Sequence, residues 1–373
     1  AQKGGGGGGK GENKHQHTKK KGSAGIENAS SSGAYRANAS DPGSSSPSSS
    51  SSSSSSSATP SVRVNAMFSH LKPYLRTPAP ARPRRFATRG AVIHPAFARI
   101  GLMFSQGTLT GGNARCVALL QACQDAINDY VVPPSQDFCR AFLEHLNQMI
   151  SFIVTCRPMS ISMGNAIRYL KRIIATPGAR RLGEDDVRVY LCTMIDEFID
   201  KRIKSADELI MRNLLGLEPH TTPKIVDGDV VLTHGRSHVV EEALKYAHSL
   251  NTRFRVVVVD SRPRMEGRGL LKSLAEHGIQ CTYVLLSAVS YVMKDVTKVI
   301  LGAAAMMANG TALSRVGTAV VAMMAHTQRR PVIFCCETYK FSERVQMDGI
   351  VSNEVADPAD LIKDKDGRPT LLE

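Results

Sequence analysis

A chain of 373 residues is long for one average domain and leaves room for two packed cores and a tail, and a 42% share of hydrophobic residues can fill those cores. The formal net charge of +14 suggests a nucleic-acid partner, yet +5 of it falls on residues 1–65 and +7 on residues 66–100, which leaves +2 for everything after Arg99. The body of the chain is therefore nearly neutral, which speaks against a nucleic-acid-binding fold; no apolar run is long enough to span a bilayer and no secretory leader opens the sequence.

In chain order, residues 1–90 combine the glycine run Gly4–Gly9, the basic stretch Lys19–Lys21, a serine tract from Ser48 to Ser57 and a Pro/Arg-rich stretch from Lys72 to Arg89. Such a segment has no apolar surface to set against its ordering entropy and is expected to be a disordered tail and linker. Arg82, Arg84 and Arg85 could meet phosphates, but no aromatic platform is interleaved with them.

Residues 91–220 carry helical periodicity. Cys116, Leu120, Cys123, Ile127 and Tyr130 recur at steps of four and three, as do Phe138, Phe142, Leu146, Met149 and Ile153, with Pro133-Pro134 between the two stripes. A third stripe, Val187, Leu191, Met194 and Phe198, opens on Glu184, Asp185 and Asp186, where a helix dipole favours acids. Thr110-Gly111-Gly112-Asn113 suits a turn and N-cap before the first stripe.

After Pro219 the period changes. Asp229–Thr233, Arg255–Asp260, Thr282–Leu286, Lys298–Leu301 and Val332–Cys336 read as short buried strands. Helical patterns lie between them at Val239–Leu250, Gly269–His277 and Leu313–His326. The alternation predicts an α/β domain over 221–373 with a parallel sheet covered on both faces, whose sites would lie at the carboxyl ends of the strands.

Four loops there invite chemistry. Thr233-His234-Gly235-Arg236-Ser237-His238 could hold a phosphate at a helix start, but it has neither the spaced glycines of a dinucleotide site nor a Gly-Lys-Ser/Thr triplet, and His234 with His238 lacks a third metal ligand. Asp260-Ser261-Arg262-Pro263 puts an acid where a ribose hydroxyl is often held, although charges at strand ends also simply meet water. Ala308-Asn309-Gly310-Thr311 is a turn, with Arg315 and Thr318 expected on the first turns of the following helix. Cys335-Cys336-Glu337-Thr338-Tyr339-Lys340 places two thiols at a strand end, where burial is the expected state. None of the eight cysteines forms a Cys-x-x-Cys pair, so reduced thiols in the cytosol, with no structural metal or cofactor, are expected.

Taken together, Gly111-Gly112-Asn113-Ala114-Arg115-Cys116, the run from Arg157 to Arg168, Val256 to Pro263, Ala308-Asn309-Gly310, Ser314 to Thr318, Cys335 to Phe341 and Val351-Ser352-Asn353-Glu354 resemble the alpha/beta/delta regulatory-subunit family of translation initiation factor 2B, the delta branch most closely. The resemblance covers roughly residues 94–360 and implies a helical domain followed by a Rossmann-like domain. The family pattern continues with an Asn-rich segment and an Asp-x-Thr-Pro-Pro motif not found before Glu373, so the resemblance implies a sheet domain incomplete at its carboxyl end.

The wider family includes sugar-phosphate isomerases that shuttle a proton between a cysteine after the first strand and an aspartate after the fourth. The corresponding positions here are Gly235 and Ala304, neither of which can carry a proton. The resemblance thus implies a non-catalytic subunit that scaffolds the exchange factor for initiation factor 2 with alpha, beta, gamma and epsilon subunits, and that senses phosphorylation of the alpha subunit of initiation factor 2. An isomerase, or a sugar-phosphate-binding relative without turnover, is the alternative; Thr233, Asn309, Gly310, Arg315 and Lys340 would be its remnant ligand loop. Lys201, Arg202 and Lys204, at or beside the face opposite Leu191, Met194 and Phe198, could meet a phosphorylated partner or could simply complement the helix dipole.

Overall fold

The computed structural model describes residues 93–351, 353–356 and 361–362. The glycine- and serine-rich tail, Lys19–Lys21, and Arg82, Arg84 and Arg85 lie outside the described residues, as does Ser352. The described residues fall in one compact unit.

Its first part is helical: α1 Pro95–Gln106, α2 Gly112–Asp129, α3 Phe138–Cys156, α4 Ile161–Ile174, the short α5 Pro177–Arg180, α6 Glu184–Phe198 and α7 Ser205–Leu214. Side chains close the helix starts. His94 Nδ1 accepts from the Ala96 N–H ahead of Pro95, Asp137 from Arg140 N–H and Ser160 from Met163 N–H. Gly111, at φ 90, turns the chain into α2 without a side-chain cap, so Asn113 is free to point elsewhere. The first two apolar stripes meet in one core with Phe97, Phe104 and Leu170; Tyr130 packs on it half-buried.

The third stripe differs. Ile195, not Met194, joins Val187, Leu191 and Phe198 in the core. Between α6 and α7 the chain makes a wider π turn over Ile199–Lys204, and Ile199 and Ile203 are buried on it. A π turn inserts a residue into the 3.6 period, which brings the adjacent Phe198 and Ile199 both inward.

The second part holds strands β1 Val230–His234, β2 Arg255–Asp260, β3 Gln280–Leu285 and β4 Lys298–Gly302, separated by helices α8 His238–Ser249, α9 Gly267–Glu276 and the short α10 Val289–Val292. Two short strands follow, β5 Ala305–Met307 and β6 Ala312–Leu313, then α11 Thr318–Thr327, β7 Val332–Cys335 and β8 Phe341–Ser342. The main sheet is all parallel in the order β3-β2-β1-β4-β7. Apolar clusters cover both faces, one around Val231, Val256 and Ile300, the other around Leu232, Val259 and Leu301. The expected class, a helical region followed by a parallel α/β sheet, is borne out.

A second sheet, β6-β5-β8, corrects the expected helix over Leu313–His326. Gly310 (φ 80) closes a β5–β6 hairpin, Ala304 N–H donates to Leu313 O, and Gly317 at φ 98 delays the helix to Thr318. Arg315 therefore sits on the loop before α11, not on its first turn.

Candidate functional site

The strand order reverses direction between β1 and β4, and in such sheets the cleft outside the carboxyl ends of those two strands is where ligands bind. Gly235 follows β1 at φ 64, donates its N–H to Val259 O at 2.8 Å, and has nothing within 4 Å of where a side chain would start. Ala304 follows β4, tied by its N–H to Leu313 O at 2.8 Å. Thr233 is buried within β1.

His234 is buried beside them, its Nδ1 3.2 Å from Thr318 Oγ1. Burial pushes its pKa down; the Asp260 charge opposes this and the Arg315 charge adds to it, so the imidazole is neutral at neutral pH. Asp260 does not meet water as a strand-end charge would. It is 2% exposed, accepts from Tyr283 OH and Ser261 N–H, both at 2.9 Å, and packs against Gly267, where a Cβ would come within 2.8 Å of its carboxyl.

The other loop residues are each held by a different partner. Asn309, at the exposed hairpin tip, donates to Gln346 O at 2.9 Å and accepts from Thr311 N–H, with Gly310 completing the turn. Arg315 forks onto Glu266 with Nε 2.8 Å from Oε2 and NH2 3.0 Å from Oε1. Lys340 is buried 2.5 Å from Glu337 Oε2, and its ammonium also reaches Ala303 O at 3.4 Å. The two thiols at the end of β7 are pushed up by burial, Cys336 to about 11, which leaves them protonated and unreactive at neutral pH.

Two clusters emerge that the loop-by-loop reading missed. In the first, Asn113 at the start of α2 donates to Glu337 Oε1 at 2.5 Å and to Asp207 Oδ2 of α7 at 3.3 Å, while Tyr339 OH donates to Asn113 Oδ1 at 2.6 Å. Burial, the hydrogen bond to Glu337 and its charge push Asp207 up to about 8. Burial also raises Glu337, but Lys340 and the donors around it outweigh that and hold it below the ordinary carboxyl range. One proton shared by the two carboxyls, sitting on Asp207, satisfies this geometry.

In the second cluster, arginines converge from across the chain. Arg157 forks onto Glu354 with Nε at 2.7 Å and NH2 at 3.1 Å. Arg115 donates to Pro158 O at 2.8 Å and lies over the Phe104 ring. Burial and then the Arg157 charge depress Arg115 to about 10, with Arg315 and Arg264 contributing; Arg264 is lowered by the same causes. Four cations thus face two carboxylates, Glu354 and Glu266, so the cluster keeps a positive field suited to an anion. A readable signal existed: Arg115 is the one basic residue of α2 and falls directly before Cys116 of the first apolar stripe. Among the described residues no group of three His, Cys, Asp or Glu side chains could hold a metal ion, and no helix is long and apolar enough to cross a membrane.

Lys201, Arg202 and Lys204 lie on the π turn. Lys201 pairs with Glu197 at 2.9 Å and Lys204 with Asp200 at 2.8 Å, whereas Arg202 pairs with no carboxylate among the described residues.

Residues 108–371 match the family described as the Initiation factor 2 subunit family. The chain is 45% identical over 264 residues to the translation initiation factor eIF2B subunit delta of Schizosaccharomyces pombe, covering 71% of this chain and 55% of that protein. It spans about half the length of the curated relatives it matches. The crystal structure of the tetrameric eIF2B-beta2-delta2 complex from C. thermophilum aligns with a TM-score of 0.69 at 32% identity, over 78% of this chain and 88% of that one. At greater distance, the ribose 1,5-bisphosphate isomerase of Thermococcus kodakarensis is 29% identical over 224 residues, 59% of this chain and 66% of that protein.

Proposed function

The chain belongs to the initiation factor 2 subunit family, and on that premise we propose that it is a non-catalytic regulatory subunit, of the delta kind, in the exchange factor for initiation factor 2. In this reading it joins alpha, beta, gamma and epsilon subunits in the cytosol as a scaffold, and helps to sense phosphorylation of the alpha subunit of initiation factor 2. The division into a tail over 1–90, a helical domain over 91–220 and a sheet domain over 221–373 belongs to the same proposal. So does the partner contact at Lys201, Arg202 and Lys204, of which Arg202 has its charge most available.

The observation that carries the non-enzyme reading is the pair Gly235 and Ala304 at the ends of β1 and β4. Isomerisation of a sugar phosphate needs one group to take a proton from carbon and one to return it. A hydrogen and a methyl do neither. Incubation with ribose 1,5-bisphosphate, followed by phosphorus NMR, is expected to return the substrate unchanged. Product formation that disappears on Arg315→Ala would overturn the reading.

A second reading, ligand binding without turnover, is favoured by the positive field of Arg115, Arg157, Arg264 and Arg315. It expects ribose 1,5-bisphosphate to raise the melting temperature in a concentration-dependent way, an effect that Arg115→Met should abolish.

A further inference from the structure

Where α4 and the π turn meet the segment after β7, Asn165, Tyr169, Phe198, Arg202, Thr338, Tyr339 and Phe341 line an open cup of about 230 Å³. The walls are aromatic: Tyr169 and Phe198 lie 4.9 Å apart between ring centroids, Phe198 and Tyr339 meet edge-on, and Phe341 keeps 53% of its surface exposed. Asn165 braces one wall by donating to Tyr339 O at 2.7 Å and Phe341 O at 2.8 Å.

The rim is cationic. Arg202 lines the cup, Arg172 lies 5.8 Å from the Tyr169 ring, and Arg168 is hydrogen-bonded to Asn165. All three arginines are exposed. No carboxylate lines the cup, and the nearest acid acting on Tyr169, Glu197, is neutralised by Lys201 at 2.9 Å. Lys201 and Lys204 are engaged within their own helix, so the outward positive field comes from the three arginines.

We propose that this cup docks an acidic peptide segment of a partner protein, one apolar or aromatic side chain seated among Tyr169, Phe198, Tyr339 and Phe341 while flanking carboxylates meet Arg168, Arg172 and Arg202. The cup falls below the roughly 300–1,000 Å³ usual for a small-molecule site and is open at its mouth, dimensions that suit a single anchor side chain. Arginine over aromatic surface is the pairing that recurs at the energetic centres of protein interfaces. Single-stranded RNA also uses cations with stacking rings, but it needs a run of platforms along a groove, and here there is one cup.

Fluorescence anisotropy with the full chain tests the proposal, using labelled nine-residue peptides of glutamates around a central phenylalanine. Controls are the same peptide with lysines, the same peptide with a central serine, and a uridine decamer. Expected are binding of the glutamate–phenylalanine probe alone and a loss on raising salt from about 0.1 M to about 1 M, which shortens the Debye length from about 10 to about 3 Å. Arg172→Glu with Arg202→Glu should weaken the probe roughly tenfold or more. Phe341→Ser, an exposed change, should weaken it while leaving the salt dependence intact. No binding of the acidic probe, affinity unmoved by the charge reversal, or tighter binding of the uridine decamer would each overturn the proposal. The regulatory-subunit reading shares only Arg202 with this cup; its non-enzyme part rests on Gly235 and Ala304, which these outcomes leave untouched.

Discussion

Asp207 and Glu337 hold a shared hydrogen bond between two carboxyl groups, and Lys340 and Asn113 decide which of them keeps the proton. Asp207 is raised in the folded chain, so its contribution to stability is complete below the ordinary carboxyl range and is lost as pH rises through about 8. Glu337 is lowered, so its contribution is present above the ordinary range and lost only in acid. Between pH 6 and pH 9 Glu337 is ionised throughout, so of this pair only Asp207 titrates there. The melting temperature is therefore expected to fall over that window, and Asp207→Asn, which keeps a polar partner for Asn113 without an ionisable proton, should flatten it. An unchanged slope in the variant would assign the pH dependence to another group. These residues were hard to find in the sequence, because Asn113 and Glu337 are separated by 224 positions and Asp207 falls in no quoted motif.

At the scale of elements, the carboxyl end of β4 packs directly on the start of α8. A methyl group added at Gly302 would collide with the Ser237 side chain, whose residue caps that helix. Overpacking of this kind costs typically about 1–3 kcal/mol, and Gly302→Ala is expected to lower the urea midpoint accordingly without changing the m-value. A midpoint equal to that of the parent would mean that α8 moves aside freely.

The stripes of α2 and α3 were legible because five residues in each keep the helical period. The strands were legible because runs such as Val256–Val259 are apolar on both faces. The third stripe misled at Met194 because Met194 and Ile195 both keep the helical period between Leu191 and Phe198, so spacing alone does not choose between them. The β5–β6–β8 sheet was illegible for another reason: strands of two or three residues are too short to show alternation, and β8 pairs with β5 from across α11 and β7.

For the whole molecule, the sheet half and the helical half interlock through Tyr339, which follows β7 in the chain yet belongs to the helical core. The described surface also carries exposed apolar residues on and beside α10 and α11: Val316 is 85% exposed, Tyr291 77% and Met323 61%. Such residues suit a face covered by another subunit, which is the core of the proposed function. Native mass spectrometry of this chain co-expressed with a beta subunit of initiation factor 2B measures that directly. A complex containing both chains in equal numbers is expected, with masses fitting one or two of each; recovery of the chain alone, with the beta subunit free beside it, would contradict the account.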